Sequence, residues 1–322
     1  MKVLVTGGGA LLGQGVIRSL LASSLQVEVA AADPSPLSAG LYWVKERHLV
    51  PLAKDPEYVA RFEALLERAR PDAVIPGTDV ELLVFAEHRA EWERRFGTKV
   101  IVSSSEVVRI ADDKYLTFEF LRRHGFPAPD SCLAGEEDAL VERVGFPLIV
   151  KPRVGARSVG VSKVNNAAEL ARAVAEGTNV VIQECVADEG AEYTAGTLTF
   201  DGKCDASIVM RRDLRDGNTY RAYVEDFPAL NATVRKLAEA LGSYGPANFQ
   251  FRLDGTGAVK VFEINGRFSG TTPLRMRAGF NEVEMTLRHV LMGEKIVQPK
   301  VQPMTILRHL EETIVPSDGM VS

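Results

Sequence analysis

The stretch ANFQFRLDGTGAVKVFEINGRFSG, residues 247–270, decides how the rest of the chain reads. At its centre DGTG is a turn signal between two alternating runs, which predicts a β-hairpin. Centring the turn pairs Gln250 with Val261 and Asn248 with Glu263. Side chains alternate across a strand, so Phe249, Phe251, Phe262 and Ile264 are expected on one face, toward a core. The opposite face carries Asn248, Gln250, Arg252, Glu263 and Asn265, with Arg267 following directly. A carboxylate, amides and a guanidinium thus converge on one sheet surface. Oxygen donors of this kind suit Mg2+, which takes one or two carboxylates and completes its octahedron with water and phosphate. An amphipathic hairpin with a solvated face would show the same alternation.

Two lysines outside the hairpin sharpen the reading. Lys114, in ADDKYL, stands at the start of a helix, where the dipole disfavours a cation by about 0.3–1 kcal/mol. An anionic ligand there would remove the penalty. Lys151 ends the apolar strand FPLIVKP and either snorkels to solvent or meets a ligand. The following loop, VGARSVG, contains Gly155, Ser158 and Gly160. Such a loop can lay backbone N–H groups over phosphates, or serve only as a hairpin turn.

A more obvious nucleotide signal lies near the start, in VTGGGALLGQG, residues 5–15. A G-x-G-x-x-G pattern read from Gly7 meets Leu12 at the third glycine. Read from Gly8, it meets Ala10 where the backbone should approach a pyrophosphate. A P-loop reading fails at Gln14 and Gly15, the positions of its lysine and hydroxyl residue. Asp33 stands where a ribose-binding acid would, but glycine-rich turns between strand and helix also serve tight packing alone.

The first hundred residues alternate strands and helices, which predicts a doubly wound, mostly parallel sheet. KVLVTG, QVEVAAAD, PDAVIPG and TKVIVSS read as strands, and GQGVIRSLLAS, DPEYVARFEALLERAR and DVELLVFAEHRAEWERRF as helices. After Ser105 strands and helices segregate, as in an α+β region. With 322 residues, 46% hydrophobic and 25% charged, the chain has the composition of a globular protein of two or three domains. Its net charge of −5 offers no long-range attraction for nucleic acid or an anionic membrane, and no apolar run would span a bilayer. MKVLVTGG is not a signal peptide. Cys132, Cys185 and Cys204 form neither a disulfide framework nor a zinc site, which points to the cytoplasm. The five histidines form no metal-binding pattern.

In order along the chain, DDKYLTFEFLRRHGFPAP, FPLIVKP, VIQECVADEGAEYT, NFQF and FEINGRFSG resemble the successive motifs of the ATP-grasp superfamily, most closely its carbamoyl-phosphate-synthase-like branch. The resemblance covers nearly the whole chain and implies an α/β Rossmann-like pre-ATP-grasp domain over residues 1–105. An ATP-grasp fold would follow, with an N-terminal lobe over 106–186 and a C-terminal lobe over 187–322. By the same resemblance, Lys114 and Lys151 contact ATP phosphates under the loop of Gly155, Ser158 and Gly160. Glu184, Cys185 and Val186 border adenine, largely through backbone groups, and Glu192 holds the ribose. Gln250, Glu263 and Asn265 bind Mg2+ (or Mn2+), and Arg267 contacts the transferring phosphoryl group. Two departures stand out: Ala156 and Arg157 where relatives often carry glycine or serine, and Gly266 where Asn-Pro-Arg is usual, which should loosen the turn before Arg267. The chain also ends soon after this region, leaving no room for a second synthase half or a biotin carrier.

The implied activity is ATP-dependent ligation of a small carboxylate to an amine (or thiol) through an acyl phosphate, releasing ADP and phosphate. The rivals are an ATP-grasp kinase that stops at phosphoryl transfer, an NAD-dependent oxidoreductase built on the first domain, and a nucleotide-binding regulator without turnover. Arg211, Arg212, Arg215, Arg275 and Arg277 are candidate anchors for a substrate carboxylate. No nucleic-acid or membrane partner is expected, and the assembly is left open between monomer and homodimer.

Overall fold

A computed structural model describes residues 1–155, 159–186 and 191–321. Ser158 of the expected phosphate loop lies outside them, as do Ala156 and Arg157. The described chain forms three sheets. The first is parallel, in the order β3–β2–β1–β4–β5, with β1 (Lys2–Val5), β2 (Glu28–Asp33), β3 (Glu46–Leu49), β4 (Ala73–Ile75) and β5 (Lys99–Val100). Its helices are α1 (Leu11–Leu21), α2 (Tyr58–Ala69) and α3 (Asp79–Phe96). The near-continuous apolar strands Val3–Val5 and Ala73–Ile75 are buried, as a sheet covered on both faces requires. Strand β3, ERHL, carries too few apolar residues to be read from the sequence.

The glycine-rich turn between β1 and α1 is filled from within. The amide of Gly9 donates to Asp33 Oδ2 at 2.7 Å, and Asp33 Oδ1 accepts from the Ser38 hydroxyl and the Ser35 amide. A Cβ on Gly9 would lie 2.3 Å from Ser38 Oγ, and one on Gly13 2.2 Å from the Gly7 carbonyl. These glycines allow close backbone packing.

Helices α4 (Ser105–Asp112) and α5 (Lys114–Arg123) lead to a four-stranded antiparallel sheet, β6–β9–β7–β8. It comprises β6 (Ser131–Leu133), β7 (Leu148–Pro152), β8 (Ser162–Val164) and β9 (Val180–Glu184), backed by α6 (Glu137–Val144) and α7 (Ala167–Glu176). Then comes a six-stranded antiparallel sheet, β14–β13–β10–β11–β12–β15. Its strands are β10 (Glu192–Phe200), β11 (Lys203–Arg215), β12 (Asn218–Val224), β13 (Gly245–Leu253), β14 (Val259–Asn265) and β15 (Met304–Leu307), with helices α8 (Pro228–Leu241), α9 (Thr272–Arg277) and α10 (Glu282–Met292). The core of this region joins Val107, Ala111, Phe120 and Leu121 of α4 and α5 to Phe249, Phe251, Val261 and Ile264. This is a parallel α/β domain followed by an α+β region of two antiparallel sheets, the layout that the resemblance implies. Among the described residues no helix is long and apolar enough to cross a membrane, and Cys132 and Cys204 are buried thiols.

The hairpin register departs from the expectation, with consequences for the site. The turn runs from Asp254 to Ala258, closed by Asp254 N–H to the Ala258 carbonyl, so Leu253 faces Val259 rather than Ala258. A β-bulge between Gln250 and Phe251 adds a second offset, so Gln250 faces Glu263 and Asn248 faces Asn265. Offsets totalling two residues preserve the polar face but leave Phe262 as the extra residue of the bulge. Val261 therefore takes the core position expected of Phe262, and Phe262 lines the cleft described next.

Candidate active site

A cleft of about 340 Å3 lies between the four- and six-stranded sheets. It gathers Lys114, Lys151, Gly155, Glu184, Cys185, Val186, Glu192, Gln250 and Glu263 from the expected set, together with Gln183, Arg212, Arg252 and Phe262. Gly160 does not line it; its left-handed φ of +72° packs it against Pro152. Asn265 and Arg267 adjoin the cleft through hydrogen bonds to its wall.

That wall is the polar face of the hairpin. Glu263 Oε1 accepts from Gln250 Nε2 at 2.7 Å and from Asn265 Nδ2 at 3.0 Å. Its Oε2 has no hydrogen-bond donor among the described residues. Arg267 Nη2 donates to Asn265 Oδ1 at 2.9 Å, and Arg267 Nε donates to Asp79 Oδ1 at 2.7 Å. Asp79 opens α3, so the first domain grips the arginine that ends the hairpin. The turn with Gly266 is closed by the Arg267 amide on the Asn265 carbonyl at 2.9 Å. Glu263 supplies a carboxylate of the kind Mg2+ takes, while the other two candidate donors, Gln250 Oε1 and Asn265 Oδ1, accept here from Arg212 and Arg267 and would have to exchange those partners to join it. No group of three His, Cys, Asp or Glu side chains among the described residues forms a self-sufficient metal cage.

The two lysines face this wall. Lys151 is only 6% exposed, so it does not snorkel; its Nζ donates to Gln183 Oε1 at 2.8 Å and to the Phe262 carbonyl at 3.4 Å. Burial pushes its pKa down to about 8; Glu263 opposes the shift and the Lys114 charge adds to it. Lys114, 7% exposed, donates to the carbonyls of Gly155 at 2.8 Å and Arg153 at 3.4 Å. Among the described residues both ammonium groups are hydrogen-bonded to neutral oxygens only.

Glu192 is clamped by Arg212 Nη2 at 2.6 Å and Arg252 Nη2 at 3.3 Å. Arg212 also donates to Gln250 Oε1. Glu184 accepts from the Asp130 amide at 2.9 Å and from Lys260 at 3.2 Å, so its carboxylate is engaged by the Pro-rich linker and β14. Of the other candidate anchors, Arg277 is exposed and three are otherwise employed. Arg275 is buried against Glu282 at 2.9 Å, and Arg211 and Arg215 stack on Tyr223 and Tyr220. Sequence reasoning put Arg252 on this polar face without giving it a role, and missed Gln183 and Phe262 as cleft residues and Asp79 as the partner of Arg267. Gln183 stands two residues before Cys185 in VIQECV, so strand alternation offered a signal; the Asp79 contact, 188 positions away, offered none.

Three family descriptions match the chain in sequence order. They are "PylC-like, N-terminal domain" at residues 3–101, "D-ala D-ala ligase C-terminus" at 112–234 and "ATP-grasp in the biosynthetic pathway with Ter operon" at 176–313. The carbamoyl phosphate synthase large chain of Methanothermobacter thermautotrophicus is 25% identical over 313 residues, covering 86% of this chain. This chain spans only 29% of the length of that relative. Among solved structures, N5-carboxyaminoimidazole synthetase from Staphylococcus aureus complexed with ADP superposes with a TM-score of 0.75 at 14% identity, over 96% of this chain and 82% of that one. The biotin carboxylase domain dimer of Hydrogenobacter thermophilus 2-oxoglutarate carboxylase, solved with MgADP, ADP and bicarbonate, gives a TM-score of 0.72 at 18% identity, over 92% and 71%.

Proposed function

This chain belongs to the ATP-grasp superfamily, on its carbamoyl-phosphate-synthase-like branch, and from that premise we propose that it is an ATP-dependent carboxylate–amine ligase working through an acyl phosphate. One observation carries the proposal: Lys114 and Lys151 are both buried, both hydrogen-bonded among the described residues to neutral oxygens only, and both open on one cleft. Buried cations without anionic partners are costly, and a polyphosphate would supply the missing charge.

In this reading the lysines hold phosphates beneath a loop that includes Gly155 and Gly160. Glu184, Cys185 and Val186 border the adenine, and Glu192, fixed by Arg212 and Arg252, accepts from the ribose hydroxyls. Gln250, Glu263 and Asn265 would hold Mg2+, which when bound neutralises charge on the phosphates. Arg267 sets its guanidinium fork against the phosphoryl group in transfer. The substrate carboxylate attacks the γ-phosphorus, the bond to the bridging oxygen breaks and ADP leaves. The amine nitrogen then adds to the acyl carbon, phosphate leaves with the former carboxylate oxygen, and the nitrogen loses its proton to solvent. A thiol would follow the same course to a thioester. The units proposed to divide this work are residues 1–105, 106–186 and 187–322.

The test is a screen of carboxylates and amines for ADP and phosphate release, with wild type beside Lys151→Met. Release that requires both substrates and is lost in Lys151→Met supports the ligase. ADP formation with a carboxylate alone, accompanied by a stable phosphorylated product, identifies a kinase instead.

A further inference from the structure

Around the cleft each partly or fully buried arginine has its carboxylate. Arg212 has Glu192, Arg267 has Asp79, Arg275 has Glu282 and Arg153 has Asp113. Arg308, just after β15, is the exception. Its Nη1 donates to the Thr219 carbonyl at 3.0 Å and its Nη2 to the Gly270 carbonyl. Among the described residues no acid pairs with it, although Glu311 and Glu312 follow closely in the chain. Burial and the nearby charge of Arg18 both push its pKa down. Arg18 projects from α1 and lies over the Trp43 ring, 4.6 Å from its centroid, also without an ion pair among the described residues. Neither guanidinium has an acidic partner among the described residues, and Arg18 is near enough for its charge to act on Arg308.

Their position relates them to the cleft. Gly270 closes the segment that begins with Asn265 and Arg267, and Leu11 of α1 packs against it, since a Cβ there would meet Leu11 Cδ2 at 3.0 Å. On the other side, the Thr219 hydroxyl accepts from Arg212 Nη1 at 3.2 Å, and Arg212 donates to Gln250. Arg308 is therefore linked to the metal-facing wall through Thr219 and Arg212, where α1 of the first domain meets the segment that follows the hairpin. Its fork is already aimed by two carbonyls, so an arriving carboxylate would meet a preorganised bidentate donor.

We propose that Arg308, assisted by Arg18, anchors a carboxylate carried by one of the two organic substrates, separate from the carboxyl group that is activated. The inference rests on the ligase reading and narrows it, because one substrate is then either a dicarboxylate or an amine with its own carboxylate, such as an amino acid. Arg308 binds and selects; it takes no part in bond making.

The experiment uses the full chain saturated with MgADP and two matched probe pairs: succinate against succinamate, and L-alanine against L-alaninamide. Binding is read by calorimetry and thermal shift in wild type, Arg308→Gln, Arg308→Lys and Arg18→Gln. We expect wild type to prefer the carboxylate member of one pair, and which pair responds identifies the substrate that carries the group. Arg308→Gln should weaken that member about 10- to 100-fold, the scale of a hydrogen-bonded charge, with its amide partner unaffected. Arg308→Lys should recover part of the loss, and exposed Arg18→Gln should weaken it less without altering folding. MgADP affinity should stay within about twofold throughout, against the tenfold or greater losses expected for the carboxylate. The proposal is overturned if wild type does not distinguish either pair, if the variants bind the carboxylates as wild type does, or if Arg308→Gln loses MgADP instead. Failure of wild type to bind MgADP would overturn the ligase reading, while the probe pairs alone would still report on the anchor.

Discussion

Two regions of this molecule invert their sequence appearance. The turn at residues 5–15 looks like a nucleotide cradle, yet Asp33 is used up by Gly9, Ser35 and Ser38, and Gly7, Gly8, Gly9 and Gly13 are packed against backbone and side chains of their own domain, Gly15 against Pro273. The hairpin of β13 and β14 looks like an ordinary amphipathic ribbon, yet it presents Glu263 to a cleft flanked by buried lysines. What separates them is satisfaction: the turn has internal partners for its polar groups, whereas the two cleft lysines have no anionic hydrogen-bond partner among the described residues.

The comparison breaks first at Glu263. Glu263→Ala should reduce ADP release by about three decades or more, the scale of losing several kcal/mol of metal-assisted stabilisation. Its melting temperature should stay near wild type, because Val261 and Ile264 still fill the core. Turnover within a few-fold of wild type would return the hairpin to a structural role.

Arg267 comes next. Arg267→Ala should lose about 3–4 kcal/mol of barrier lowering, or two to three decades in kcat. Arg267→Lys keeps the charge but not the fork, so it should retain MgATP binding and lose only part of the rate. Single-turnover kinetics on the three forms separates binding from transfer, and an unaffected transfer rate in Arg267→Ala would remove the residue from the chemistry.

Lys151 gives a smaller effect that depends on pH. Its folded pKa of about 8 lies below the unfolded value of about 10.4. Nucleotide needs the charged form, so MgADP affinity should fall as pH rises above 8, with proton uptake on binding. The unfolded chain holds more protons between these values, so this group's contribution to the stability of the nucleotide-free protein should rise over the same window. Calorimetry in buffers of different ionisation enthalpy and melts across that range should show the opposed trends, both diminished in Lys151→Arg. Affinity flat to pH 10 would mean that Lys151 does not meet the phosphates.

The smallest effect on activity is expected at Asp33. Asp33→Asn should cost about 1–3 kcal/mol of stability by weakening buried hydrogen bonds. MgADP affinity should not change, and NADH should not bind to either form. Micromolar NADH binding that vanishes with Asp33 would restore the turn as a dinucleotide site.

By itself the sequence determined the parallel first domain, the later α+β region and the polar face of the hairpin. These are carried by local periodicity, which an apolar strand or an alternating ribbon states within a few residues. It left ERHL unread as a strand, because half-buried charged residues hide the alternation. Only the tertiary structure decided the bulge that moves Phe262 from core to cleft, since one inserted residue changes the face without changing composition. Only the tertiary structure, too, brought Asp79 to Arg267, Gln183 to Lys151 and Arg308 within reach of the Arg18 charge. Side chains distant in the chain meet only when strands pair and domains pack, and whether a charge is matched is a property of that packing.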